Sequence, residues 1–271
     1  MTVVQKYRLI PTDTVRLGSK THFRVQALRD FGFIRSGSLG GYVQFPENLS
    51  HDGLCWVDDQ AIVSGHAVIR DNAHIGGLAR ASGSAVVCDS AVILSTAWVY
   101  DKAMVGGAAR IGDSARIYDG ARITGNSQIV GEAHIFGTAE VCGAARVAGE
   151  ARISGDAVVA GQSVIRGHAR ITGTARICDS AEIFAEAVVR GECVIGGRVY
   201  VSGEAVVEGA CRVLGSARVR GRAYVGEHAL VYGKAIVDGT ARVHGTAIVC
   251  GTVHLSEGSI ADHHLLLEGR G

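Results

Sequence analysis

Proline is nearly absent from this 271-residue chain, at 2 residues, and aromatics make up only 6%. So little proline excludes a Pro-rich linker or a collagen-like chain. So few rings exclude a thick core, and the interior must be thin and lined by small and branched side chains. Neither sign of charge is in excess: Lys and Arg number 27 against 26 Asp and Glu, a net charge of +1. No global field therefore attracts nucleic acid or an anionic membrane surface. No apolar run approaches a membrane-spanning length. The opening MTVVQKYRLIPTDTVRLG carries charge where a signal peptide needs its apolar stretch. The expectation is a cytoplasmic protein with no nucleic-acid and no membrane partner. The seven cysteines form no CxxC pair and have no His at zinc-ligand spacing. They read as reduced thiols, with no metal site.

What is plentiful is glycine, 38 residues, roughly double ordinary usage. A period of six places it. From position 109 the chain reads ARIGDS ARIYDG ARITGN SQIVGE AHIFGT AEVCGA ARVAGE ARISGD, a unit of small–x–Ile/Val–x–Gly/Asp–x. Residues 55–258 hold 34 such units in one register. The small and aliphatic positions are two apart, so in a strand both point inward and the residue between them points out. Two positions after the aliphatic stands Gly or Asp, with exceptions such as Ser95, Ala185, Glu227 and Glu257. Gly adopts φ > 0 without penalty and Asp tolerates it, so each unit is a short strand followed by a bend. Strand and bend repeated close most simply as a triangle, three hexads to an 18-residue coil, with strands of successive coils pairing in parallel.

The ends differ. Residues 1–36 alternate around Gly18-Ser19 and predict a β-hairpin that caps the solenoid. Residues 37–258 form the solenoid, with 37–54 an irregular first coil, and 259–271 form a C-terminal tail or cap.

An 18-residue coil stacks positions i and i+18 on one face. One such column carries Trp98, Arg116, His134, Arg152 and Arg170, and beside it run Tyr100, Tyr118 and Phe136. Stacked like charges repel unless something neutralises them. Glu132 and Glu150 are expected to do so, or else an anionic small molecule does. Arginine forks suit phosphate or carboxylate, and aromatic faces suit a ring. A third face carries Val68, Val86, Met104, Val158, Val194, Leu230 and Ile248 among Arg122, Glu140, Arg176 and Arg212. An apolar strip of this kind is expected to meet a partner.

The hexads resemble the hexapeptide-repeat, left-handed parallel β-helix superfamily, best known for trimeric acyltransferases. The segments ALRDFG (27–32), GSLGGYV (37–43) and NLSHDGLCWV (48–57) resemble the YdcK-like group within it. The resemblance implies an all-β, left-handed solenoid and a homotrimer packed through the apolar face. It implies acyl transfer from acyl-CoA, a co-substrate rather than a resident cofactor, to a small-molecule amine or hydroxyl. One His would serve as general base at a subunit cleft. Of His66, His74, His134, His168, His228, His244 and His254, His134 is the candidate because it stands in the Arg/aromatic ladder, with His51 and His263–His264 as weaker ones. The extruded loop and C-terminal helix of many superfamily enzymes have no counterpart here. The other reading is therefore a non-catalytic structural or binding solenoid, phage-associated in its setting.

Overall fold

The computed structural model describes residues 5–262 and the backbone of the strand Leu265–Leu266. The chain divides into two compact units, residues 1–132 and 133–271. Both are all-β parallel solenoid of the left-handed type, about 12 turns in all. In each unit three parallel sheets form the faces of a triangular prism.

The period of six is visible in the strands. In the N-terminal unit they recur as Ile62–Val63, Val68–Ile69, His74–Ile75, Arg80–Ala81 and onward. Paired residues lie 18 apart, as in Trp98 with Arg116 and Val92 with Arg110. The small and aliphatic positions point inward: Ala115, Ile117, Ala121 and Ile123 are fully buried. Burying each such Ile or Val contributes about 1.5–3 kcal/mol. The bends sit at positive φ, whether glycine or not: Asp59, Asp113, Ser95, Ala185 and Glu227 all lie between 52° and 61°. Space is as strict as φ. A Cβ at Gly197 (φ 88°) would fall 2.4 Å from the carbonyl oxygen of Gly215, one coil on.

Aspartate at these bends has a second use. The Asp59 carboxylate accepts the amide N–H of Gly77 at 3.1 Å, Asp89 that of Gly107 at 2.7 Å and Asp113 that of Gly131 at 2.9 Å. Asp179 does the same for Gly197 at 2.7 Å in the C-terminal unit. Each aspartate thus tolerates the bend and ties it to the bend 18 residues later.

The N-terminal unit begins with β1 (Tyr7–Leu17) and β2 (Lys20–Ala27), an antiparallel hairpin turning at Gly18. β2 pairs antiparallel with β3 (Leu39–Val43), which pairs in parallel with Ile62–Val63. There the pairing is Tyr42 with Ile62 and Val43 with Val63, a spacing of 20 rather than 18. A short 3-10 turn, Pro46–Asn48, takes up the extra length. β1 is the edge of its sheet; it carries Pro11, which has no N–H to offer, and its pairing with β2 shifts register between Ile10 and Thr14. Both devices discourage edge-to-edge pairing.

Polar groups close the start of the prism. Lys6 is fully buried, and its Nζ donates to the carbonyls of Asp52, Gly53 and Cys55 at 3.3, 3.4 and 2.9 Å. Tyr7 Oη lies 2.6 Å from the carbonyl of Pro46 and 2.8 Å from that of Leu49, its one proton shared between them. Burial pushes the Lys6 ammonium down from its ordinary value and the Tyr7 phenol far up. These side chains satisfy carbonyls that have no preceding coil to accept from.

In the C-terminal unit the strands run from His134–Ile135 onward at the same period. Val188–Gly191 and Val206–Gly209 are longer and pair over four residues. The register of 18 holds to Ile236 with His254 and then shortens by one, since Arg242 pairs with Ser259 and Val243 with Ile260. The unbroken run of hexads expected to reach 258 thus ends after Leu255. Most of the expected C-terminal tail, His263–His264 included, lies outside the described residues.

Candidate functional site

In the N-terminal unit, Arg80, Trp98 and Arg116 occupy three successive strands of one sheet as directly paired residues. Each is the outward member of its strand, because the small and aliphatic neighbours on either side of it are taken into the core. They line a groove of about 550 Å³ together with Val15 and Leu17 of β1 and with Gln60, Ile62, Leu78, Thr96 and Ser114 of the prism. Val15 and Leu17 are two apart on one strand and so face the same way. Gln60, Leu78, Thr96 and Ser114 all stand just before a small position of the hexad, and their spacing of 18 forms one column.

The electrostatics of this groove are one-sided. Neither Arg80 nor Arg116 forms an ion pair among the described residues, and both side chains are exposed. Trp98 is held in place: its Nε1 donates to Ser82 Oγ at 3.1 Å, and its ring lies 4.6 Å from Tyr100. Tyr100 in turn stacks on Tyr118 at 4.9 Å and 6°. Burial, then the Tyr118 phenol, raises the Tyr100 pKa. Thr96 Oγ1 lies 3.0 Å from Ser114 Oγ. The groove therefore joins two unpaired guanidiniums, a fixed indole edge, a hydroxyl pair and an apolar wall.

The remaining ladder residues belong to the C-terminal unit. His134 is half-buried and pairs with Arg152, and Arg152 pairs with Arg170, on successive strands. Phe136, also half-buried, follows His134 two residues on. Glu150 does not neutralise Arg152 as the sequence led us to expect: its carboxylate lies 3.4 Å from His168 Nδ1. Glu132 forms no ion pair among the described residues. Geometry explains the miss, since a bend residue turns away from its own strand and reaches the bend of the next coil.

Three groove residues are absent from the ladder expected from the sequence. Val15 and Leu17 lie outside the repeat, whereas Arg80 obeys it, 18 residues before Trp98 at the same outward position. Leu78 could have been found: it is an exposed leucine in a column otherwise polar. The apolar third face is less open than expected, since Val68, Val86 and Met104 are half-buried along their sheet. One group has metal-like proximity, Asp71, Cys88 and Asp89. Its carboxylates are engaged: Asp71 pairs with Arg70 at 2.6 Å and accepts the Asp89 N–H, and Asp89 accepts the Gly107 N–H. Burial raises the Cys88 thiol pKa, keeping it protonated.

No helix among the described residues is long and apolar enough to cross a membrane. No protein-family model matches the chain, and no curated protein matches it significantly.

Proposed function

We propose that this solenoid binds an anionic small molecule in the groove of its N-terminal unit. One observation carries the reading: Arg80 and Arg116 flank Trp98 on adjacent strands and have no carboxylate of their own. One strand, that of Trp98, separates the two guanidiniums, so their flexible forks can close on a single anion lying over that strand, with no carboxylate competing for them. Trp98 supplies a flat face or edge for a ring. The probe is acetyl-CoA, the donor class that the hexapeptide resemblance implies, titrated by calorimetry beside inorganic pyrophosphate. Binding of either that weakens about tenfold or more in Arg116→Ala supports the site. No heat with either probe overturns it.

Acyl transfer is the second reading. What favours it, besides the fold, is His134 paired with Arg152 on adjacent strands, an arrangement that sets a general base beside an anion-binding fork. Such a protein would act as a homotrimer packed through the face of Val68, Val86 and Met104. Under this reading Arg152→Ala loses acetyl-CoA binding, and His134→Ala abolishes thiol release from acetyl-CoA. Sedimentation as a monomer counts against it.

A further inference from the structure

The groove has a second half that charge does not account for. Beside the arginines, the same groove is lined by Val15 and Leu17 of β1, by Ile62, which precedes Arg80 in the arginine column, and by Leu78, which stands in the column of Gln60, Thr96 and Ser114. Ile62 is buried against its surroundings, but Leu78 is 57% exposed, and Val15 and Leu17 are only half-buried. The hairpin therefore presents two aliphatic side chains toward the prism without completing their burial. Partly wetted apolar walls facing each other across a cavity gain free energy when an apolar body displaces the water. A compact oxyanion such as pyrophosphate uses the arginines and leaves these walls wet.

Resting on the anion-binding reading above, we infer that the ligand is an anionic amphiphile: a short alkyl or aryl chain joined to a phosphate or carboxylate. Its head group lies against Arg80 and Arg116, and its chain lies under β1 against Val15, Leu17 and Leu78. The hairpin is thus a wall of the site and not only a cap. Trp98, flanked by the two arginines, offers its ring to the part of the ligand next to the head group, its N–H being already committed to Ser82. The cavity, about 550 Å³, is within the range that takes a small organic molecule. The ligand is a free, soluble one. A lipid in a bilayer would have to leave the membrane to pass beneath a strand.

Calorimetry with octyl phosphate, inorganic phosphate and octanol, each below its aggregation limit, tests the assignment on the full chain. Octyl phosphate is expected to bind at least about tenfold more tightly than either of the others. Leu17→Ser and Val15→Thr, on half-exposed positions, should each weaken octyl phosphate by about threefold or more while leaving pyrophosphate binding unchanged. Arg80→Gln should weaken both. If Arg80→Gln weakens both anions but octyl phosphate and inorganic phosphate bind alike, the anion site stands and the amphiphile is wrong. If Arg80→Gln and Arg116→Gln change nothing, the underlying site is wrong as well. Co-sedimentation with phosphatidylglycerol vesicles, lost in Leu17→Ser, would assign the chain to a lipid and overturn the soluble ligand. Circular dichroism on each variant separates misfolding from loss of contact.

Discussion

The two units are built from one repeat but hold their charges and histidines differently. In the C-terminal unit several outward side chains pair from coil to coil. Arg190 pairs with Glu208, Arg220 with Asp238 and Arg222 with Glu204. Tyr224 donates to Glu208 at 2.8 Å, and Arg242 lies over the Tyr224 ring at 4.3 Å. In the N-terminal unit the hairpin and first coil bring in non-repeat residues, and burial dominates. Lys6 and Trp56 are buried to within 1% exposure, and Phe31 packs edge-on against Trp56 at 5.4 Å. The histidines divide the same way. His22, His51 and His74 have pKa values lowered by burial, whereas His168 and His254 stand beside carboxylates at 3.4 and 3.8 Å. Among the described residues, strand arginines without an ion pair occur in both units, Arg152, Arg170 and Arg176 among them, so what sets Arg80 and Arg116 apart is the hairpin that lines their groove.

The contrast can be broken most forcefully at Trp56. Trp56→Ala removes the largest of the fully buried side chains and should cost about 3–5 kcal/mol. Hydrogen exchange should show the loss confined to amides of the N-terminal unit. Equal loss of protection in both units would mean that the two are not separately stabilised. A subtler difference follows from pH. His22, His51 and His74 are held neutral when folded, so the unfolded chain binds protons that the folded one refuses. Stability should therefore be full above the ordinary histidine pKa of about 6.5 and fall as pH drops below it. The His51 Nδ1 accepts the Lys6 amide N–H at 3.2 Å, a bond that protonation breaks. Exchange followed from pH 7 to 5 should rise in the N-terminal unit first, and His51→Gln should reduce the slope. The smallest effect belongs to the exposed pair Arg222–Glu204, 3.2 Å apart. Arg222→Ala should change stability by no more than about 0.5 kcal/mol, read from the denaturation midpoint.

Most of the solenoid was legible because its signal is periodic. Ala at one position and Ile or Val two later specify an inward face, and Gly or Asp two later again specify a bend. Even the irregular bends Ser95, Ala185 and Glu227 take the left-handed conformation that their place in the register demanded. What the period could not supply is anything that depends on a non-repeating segment folding back. Lys6 looked like a charge against a signal peptide and is a buried donor to three carbonyls. Val15 and Leu17 looked like hairpin residues and nothing more, since no spacing rule says which coil a hairpin lies against. Trp98 and Arg116 obey the period, and so does Arg80, one coil before the expected ladder begins. The spacing of 20 at β3 and the shortened last pairing are likewise departures that only the folded chain reveals.

The pairing of each residue with the one 18 later gives the prism something like a reading frame. Remove eighteen residues within the C-terminal unit, and the columns close again like to like: inward stays inward, Gly meets Gly, and each face keeps its own side chains. Remove six, and the core is still satisfied, yet everything downstream turns onto the next face. The repeat thus protects the interior against two kinds of length change but protects a surface against only one. A binding face on this scaffold can be lost by an event that leaves the fold, its stability and its composition almost untouched.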